Sequence, residues 1–225
     1  MKHISVLTGA GISAESGVKT FRDHDGLWEG HDVMQVATPE GFEQNPELVL
    51  EFYNKRRQQL KTVSPNKAHQ LLVDLEKKYE VNIITQNVDD LHERAGSSKV
   101  IHLHGELMKA RSVDDASLIY NWTKDINLGD VNENNHQLRP HVVWFGEPVP
   151  MMDKAIQVLQ QTDIIIIIGT SMQVYPAAGL IDFAPKNTPI YFIDTDPSIN
   201  PSKNVHVFAE KATTGVEKVV NQLLD

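Results

Sequence analysis

Apolar residues in this chain gather in short runs separated by amphipathic stretches. Residues 4–7, 81–85, 164–168 and 190–193 are such runs, rich in Ile and Val, and too short and too continuous for an amphipathic helix. They predict strands buried on both faces, as in the middle of a parallel sheet. Residues 100–103 predict a fifth strand. Helical periodicity fills the intervals at 66–78, 153–161, 177–184 and 214–224. Alternating strands and helices imply right-handed crossovers, with helices on both faces of the sheet. The expected fold class is α/β, a doubly wound parallel sheet.

Two regions break this alternation and read as modules added to the sheet. In residues 31–62, Pro46 is suited to open a helix whose body runs over 47–60. Residues 106–137 are polar, with Leu118, Ile119, Tyr120 and Trp122 as their concentrated apolar cluster. The division expected is one catalytic unit, with a nucleotide-binding domain from residues 1–30, 63–105 and 138–225, and a small module from the two insertions.

Composition narrows the function classes. A chain of 225 residues that is 40% hydrophobic can bury a real core, which excludes disorder. Thirty acidic residues against 21 basic give a net charge of -9, which argues against sequence-independent nucleic-acid binding or attachment to an anionic membrane. The longest apolar run falls far short of the roughly 20 residues of a membrane-spanning helix. The chain opens directly into strand sequence at His3 without a signal-like segment, so a cytoplasmic location and a monomer are expected. The absence of cysteine excludes disulfides, a thiolate nucleophile, iron-sulfur clusters and any Cys-type zinc site.

The chemistry-bearing residues stand mostly at strand ends. Gly9-Ala10-Gly11-Ile12-Ser13-Ala14 follows the first strand and fits GxGxxG/A, whose glycines let the backbone approach a pyrophosphate. The same residues would also serve a tight strand-to-helix turn. A dehydrogenase would add a second strand with an acidic ribose-binding residue about 20 positions on. That interval holds instead Phe21-Arg22-Asp23 and then helical sequence, which weakens hydride transfer. Gln86-Asn87-Val88-Asp89, Gly169-Thr170-Ser171 and Asp194 follow later strands. Any one of them could cap a helix or shape a turn; together they outline a polar crevice at the carboxyl ends of the strands.

Taken in order, Gly9-Ala10-Gly11-Ile12-Ser13, Ser16-Gly17 with Phe21-Arg22, Thr85-Gln86-Asn87-Val88-Asp89 with Leu91-His92, His102-Leu103-His104-Gly105, Leu138-Arg139-Pro140 through Val142-Val143-Trp144-Phe145-Gly146-Glu147, and Gly169-Thr170-Ser171 resemble the sirtuin family of NAD-dependent protein-lysine deacylases. The resemblance runs over nearly the whole chain. It implies a Rossmann-like domain, NAD as cofactor, acyl-lysine peptides or proteins as partners, and transfer of the acyl group to ADP-ribose with release of nicotinamide. In that scheme His104 matches the general base, a role suited to an imidazole that titrates near neutrality. Asn87 and Asp89 match the residues that hold the nicotinamide carboxamide and organise the reactive ribose. Gln86 matches a ribose contact, and Ala10, Phe21 and Arg22 match the mobile cofactor loop. Gly9, Gly11, Ile12, Gly169, Thr170, Ser171 and Asp194 complete the expected cofactor set. Val142, Val143, Trp144, Phe145 and Gly146 match the segment that pairs with an extended substrate peptide by strand addition.

Phe52-Tyr53-Asn54-Lys55-Arg56-Arg57 further resembles class III members, in which the matching Tyr and Arg recognise the carboxylate of succinyl or malonyl lysine. Tyr53 and Arg56 share a helix face at i, i+3 spacing, although Lys55-Arg56-Arg57 is also the kind of charge run that forms a solvated face. Three features depart from the family pattern. The zinc-binding cysteines of most members are missing; Asp114, Asp115, Asp125, Asp130, Glu133 and His136 make a poor replacement set, so no metal is expected and packing must hold the small module. Thr20 and Asp194 stand where many relatives have Asp and Asn. A binding module without turnover, or a mono-ADP-ribosyltransferase, are the competing readings.

Overall fold

Five consecutive isoleucines need apolar cover on both faces, and the fold supplies it. The computed structural model describes residues 1–19, 27, 28 and 30–225. In chain order the elements are β1 (His3–Thr8), α1 (Ala10–Ala14), β2 (Leu27–Trp28), β3 (His31–Asp32), α2 (Val33–Val36), α3 (Pro39–Gln44), α4 (Pro46–Leu60), α5 (Lys67–Leu75), β4 (Glu80–Thr85), α6 (Leu91–Ala95), β5 (Val100–His102), β6 (Gly105–Ser112), β7 (Ile119–Asn121), β8 (Leu138–Val142), α7 (Met152–Leu159), β9 (Ile164–Ile168), a 3-10 helix (Ala177–Phe183), β10 (Ile190–Ile193), β11 (Val205–Phe208) and α8 (Ala212–Leu224).

Six strands form one parallel sheet in the order β11-β10-β9-β1-β4-β5. Within β9 the pleat divides the isoleucines: Ile164, Ile166 and Ile168 join Leu72, Leu75, Val216 and Val219 beneath α5 and α8, whereas Ile165 and Ile167 join Leu159 and Leu180 beneath α7 and the 3-10 helix. All five expected strands are present. β11 was not anticipated, because Val-His-Val-Phe is short and carries His206 in its middle, as a half-exposed edge strand can. The chain runs outward from β1 to β4 and β5, then returns to β9 on the other side. Strand order therefore reverses between β1 and β9, the usual place for a ligand crevice.

The two insertions meet on one side of this sheet. β7, β6 and β8 form a separate antiparallel sheet, and Leu138–Val142 lies in it rather than in the parallel one. α4 packs against that sheet, and its N-terminus follows from Asn45, whose side chain accepts from the Leu48 amide at 3.1 Å, with Pro46 next. Ile126, wholly buried with Leu50, Ala110 and Leu138, anchors the segment between β7 and β8. Tyr120 and Trp122 pack on this cluster as expected, but Ile119 is 45% exposed.

Among the described residues no group of three or more His, Asp or Glu side chains is placed to hold a metal. Amide side chains do the cross-linking instead. Gln137 Nε2 donates to the carbonyls of Asn127, Asp130 and Leu138 at 2.9, 3.1 and 2.9 Å, and its Oε1 accepts from the Gly129 amide at 2.8 Å. Asn132 Oδ1 accepts from the amides of Asn134 and His136 at 3.0 and 2.9 Å. Such contacts are worth about 1 kcal/mol net each, but leaving several backbone groups unpaired costs more. Gln137→Ala should therefore lower the melting temperature by several degrees, whereas EDTA should leave it unchanged in the same thermal scan; a drop caused by the chelator would contradict the hydrogen-bonded clasp.

Candidate active site

Parallel strands present all their carboxyl ends on one side, so residues distant in sequence meet there. Across the β1/β9 boundary the Gly11 amide donates to the Gly169 carbonyl at 2.9 Å. A Cβ on Gly169, whose φ is +61°, would lie 2.5 Å from the Gly11 backbone. Two glycines are thus required for the main chains to touch, and the contact leaves the loop after β1 open for close approach by a ligand. Gln86, after β4, donates from Nε2 to Thr170 Oγ1 at 3.1 Å and ties a third strand end to the same edge. Asp194 follows β10, its Oδ1 accepting from the Asp196 amide at 2.9 Å. Ser171 accepts at its main-chain oxygen from Ser198 Oγ at 2.9 Å.

The loop after β4 is the most heavily constrained. Asn87 Nδ2 donates to the Gly9 carbonyl at 3.0 Å, and the buried Oδ1 has no protein hydrogen-bond partner. An amide held by its nitrogen, with its oxygen unmatched, is suited to accept an N–H from a ligand. Asp89 is buried; its two oxygens accept from Ser13 Oγ at 2.9 Å and the Leu91 amide at 3.2 Å. Burial raises its pKa, and those hydrogen bonds act against the rise. Ile12, beneath this loop, is fully buried.

His104 follows β5, with Nδ1 3.0 Å from the Gln86 carbonyl. A carbonyl only accepts, so Nδ1 carries the proton and Nε2 of the neutral ring is the basic atom. Burial lowers the His104 pKa, while the Gln86 hydrogen bond opposes that shift. The Val143 amide donates to the His104 carbonyl at 2.9 Å, which sets residues 142–146 beside the histidine. Val142 is buried in β8, Gly146 is exposed with φ +88°, and the two neighbouring aromatics divide: Trp144 is a core residue, whereas Phe145 is 54% exposed.

A narrow cavity opens beside this centre, lined by Ala10, Lys19, Arg56, Gln59, Asn87 and Asp89 among others. The charge run on α4 is not a solvated face. Only Lys55 is exposed, paired with Glu51 at 2.6 Å, while Arg56 and Arg57 are buried. Arg57 is structural, its Nε on the Leu107 carbonyl at 3.0 Å and its Nη1 on Asn54 Oδ1 at 2.8 Å. Tyr53 has no exposed surface; its hydroxyl accepts from Trp144 Nε1 at 2.9 Å, and burial pushes the phenol pKa up, so it stays protonated. Trp144 is held in turn by Arg139, 3.2 Å over its ring, and by Glu147, which accepts from its amide at 2.8 Å. The structure thus brings Arg56, Asn87 and Asp89 to one cavity, with His104 on the carbonyl next to Asn87. Phe21 and Arg22, with Thr20, lie outside the described residues. Lys19 was missed by sequence reasoning, since a single lysine after a glycine-rich turn carries no pattern.

The Sir2 family profile matches residues 9–176. An NAD-dependent protein deacylase of Helicobacter pylori is 56% identical over 226 residues, covering 100% of this chain and 99% of that protein. A protein of the same description from Bacteroides thetaiotaomicron is 49% identical, covering 100% and 99%. Among solved structures, a Sir2 homologue in complex with NAD superposes with a TM-score of 0.88 at 37% identity, covering 99% of this chain and 90% of that one. A Sir2 protein with a deacetylated peptide and acetyl-ADP-ribose gives a TM-score of 0.80 at 29% identity, covering 97% and 92%. A profile that spans the glycine loop, the loop after β4 and the histidine, together with relatives matched along their whole length, establishes that this chain belongs to the Sir2 family, the sirtuins.

Proposed function

We propose that this sirtuin, an NAD-dependent protein deacylase, removes acidic acyl groups, succinyl and malonyl, from lysine side chains, and acetyl groups as well. The observation that carries the acyl preference is the pair of cations, Arg56 and Lys19, lining the same cavity as Asn87 and Asp89. A guanidinium offers two parallel donors to a carboxylate, and Lys19, itself exposed, adds a second positive charge. Tyr53 shares the Arg56 face of the helix; its hydroxyl is engaged by Trp144 Nε1 and has no exposed surface, so it would have to turn toward the cavity to reach an acyl carboxylate. An acetyl group needs neither cation, so it is accepted without their help.

NAD supplies the ribose carbon to which the acyl oxygen bonds, with nicotinamide as leaving group. The residues present fit it: the touching glycines would let the main chain approach a pyrophosphate, and the unmatched Asn87 Oδ1 could accept a carboxamide N–H. Gly9, Ala10, Gly11, Ile12, Gln86, Gly169, Thr170, Ser171 and Asp194 would line the rest of the cofactor. When ionised, Asp89 would offer negative charge to a bound ribose, where positive charge develops as nicotinamide leaves. His104 Nε2 would take a proton from a ribose hydroxyl, freeing that oxygen to bond the acyl carbon as the bond from that carbon to the lysine nitrogen breaks; the lysine amine leaves, and one water supplies the oxygen that completes the acyl-ADP-ribose product. Residues 142–146 hold the substrate peptide by strand addition. We infer a monomer that works in the cytoplasm.

Mass spectrometry of matched succinyl-lysine and acetyl-lysine peptides with NAD tests this directly. His104→Ala should cut turnover about 100-fold or more while NAD binding changes little, the loss expected of a general base; an equally active variant removes His104 from the mechanism. Arg56→Met should lower kcat/KM for succinyl-lysine by roughly ten- to a hundredfold, as one charged hydrogen bond implies, and leave acetyl-lysine nearly unaffected. Equal losses on both peptides would sink the clamp. Because burial lowers the His104 pKa, the base stays neutral below the ordinary histidine value. The acid limb of kcat/KM should accordingly fall below pH 6.5; a limb above it would assign the profile to another group.

A further inference from the structure

His102 has no part in the chemistry above, yet it stands two residues before His104. It closes β5 and is 9% exposed. Both of its ring nitrogens are committed, Nδ1 to the Asn87 carbonyl at 3.0 Å and Nε2 to Glu93 Oε1 at 2.7 Å. Neither an amide carbonyl nor a carboxylate has a proton to give. A neutral ring would therefore set one bare nitrogen against an acceptor. We propose that His102 is a positioning residue that carries an imidazolium at neutral pH, fixing the Asn87 main chain from below and setting a buried positive charge beside Asp89.

The charges around His102 favour this state. Glu93 faces it from α6, Glu106 from the start of β6 and Asp89 from the loop after β4. On the other side stand Lys109, which is tied to Glu106 at 2.7 Å, and His92, which burial keeps neutral. Burial of His102 works against protonation, but the Glu93 hydrogen bond and charge, the Asn87 carbonyl and Glu106 together raise its pKa. In return, the His102 charge is among the influences that oppose the rise burial imposes on the Asp89 pKa.

Geometry gives the arrangement its purpose. His104 Nδ1 holds the Gln86 carbonyl and His102 Nδ1 holds the Asn87 carbonyl, so two histidines pin consecutive peptide units of one loop. The Asn87 side chain cannot keep its oxygen aimed at a ligand if its own main chain rotates. His102 thereby differs from His104 in one respect: the second ring nitrogen has an acceptor, so the ring is charged and fixed instead of neutral and basic.

The role of Asn87 and Asp89 in catalysis rests on the deacylase reading, but the protonation of His102 does not, and two measurements keep them apart. The first is nitrogen-15 NMR of histidine-labelled protein at about pH 7, with the His102 ring assigned as the signal missing from His102→Gln. Two protonated ring nitrogens are expected in the wild type, and conversion to the neutral ring at distinctly lower pH in Glu93→Gln. A neutral His102 in the wild type at that pH overturns the proposal.

The second is the pH profile of kcat/KM. Deprotonation leaves His102 one N–H, which the Glu93 carboxylate, a stronger acceptor than an amide carbonyl, keeps at Nε2. Asn87 is then unpinned, so the wild type should lose activity on the alkaline side, and Glu93→Gln, which removes the charge that favours the imidazolium, should move that limb toward acid while preserving the fold. His102→Gln, which can still donate one hydrogen bond, should lose roughly ten- to a hundredfold in kcat/KM with its alkaline limb gone. An alkaline limb at the same pH in Glu93→Gln as in the wild type would reduce His102 to a structural contact and overturn the positioning role, even with the NMR result in hand.

Discussion

The main-chain contact between Gly11 and Gly169 is the constraint on which the site is built. Two parallel strands on either side of the sheet reversal would ordinarily splay their carboxyl ends apart. Here an amide and a carbonyl meet at 2.9 Å, and the space a side chain would need is filled by backbone at 2.5 Å. The Gly9 carbonyl is thereby placed to receive Asn87 Nδ2 at 3.0 Å, and Thr170 to receive Gln86. A methyl group at either glycine would push strand ends apart that carry three loops between them. The cost would appear in ligand binding before it appeared in the core, because the isoleucine packing below does not share these atoms.

From that fixed edge the loop after β4 is held by different means on its two sides. Its side chains reach toward β1: Asn87 to Gly9, Asp89 to Ser13. Its carbonyls reach toward β5, to His104 and His102. Such double anchoring is what a site needs if a carboxylate is to stay ionised while buried, since a carboxyl free to rotate would find the geometry of its neutral form. Desolvation is the largest influence on Asp89, and it is opposed by several fixed donors and a nearby charge, not by one strong ion pair.

How much of this was legible in the sequence follows from which signals are local. The four inner strands and the edge strand β5 were plain because short continuous apolar runs between helical stretches read as strands, and the glycine loop, the Gln86–Asp89 loop and His104 could be placed because each directly follows such a run. β11 was lost for the opposite reason: an edge strand that alternates with a histidine looks like a loop. Ile126 was overlooked because it stands alone between Asp125 and Asn127; its burial is decided by Leu50 and Leu138, far along the chain. The fate of Lys55-Arg56-Arg57 was beyond reach as well. Three adjacent cations on a helix point in three directions, and only the fold determines that one meets solvent, one a cavity and one the Leu107 carbonyl.

Arg57 also explains how a small module without cysteine ligands can serve the site. Metal-bound modules are held at their own centre, so their attachment to neighbours can be loose. In this chain the attachment is itself the support. Asn54 spans the Ile126 peptide, donating to its carbonyl and accepting from its amide, both at 2.9 Å, while Arg57 bridges Asn54 and β6. These two residues flank Arg56 within one turn and a half of α4. The contacts that keep the module folded therefore also set the rotation of the helix that presents Arg56 to the cavity. With no cysteine in the module, its attachment rests on the helix that carries Arg56, so holding the module and setting the Arg56 side chain cannot vary independently.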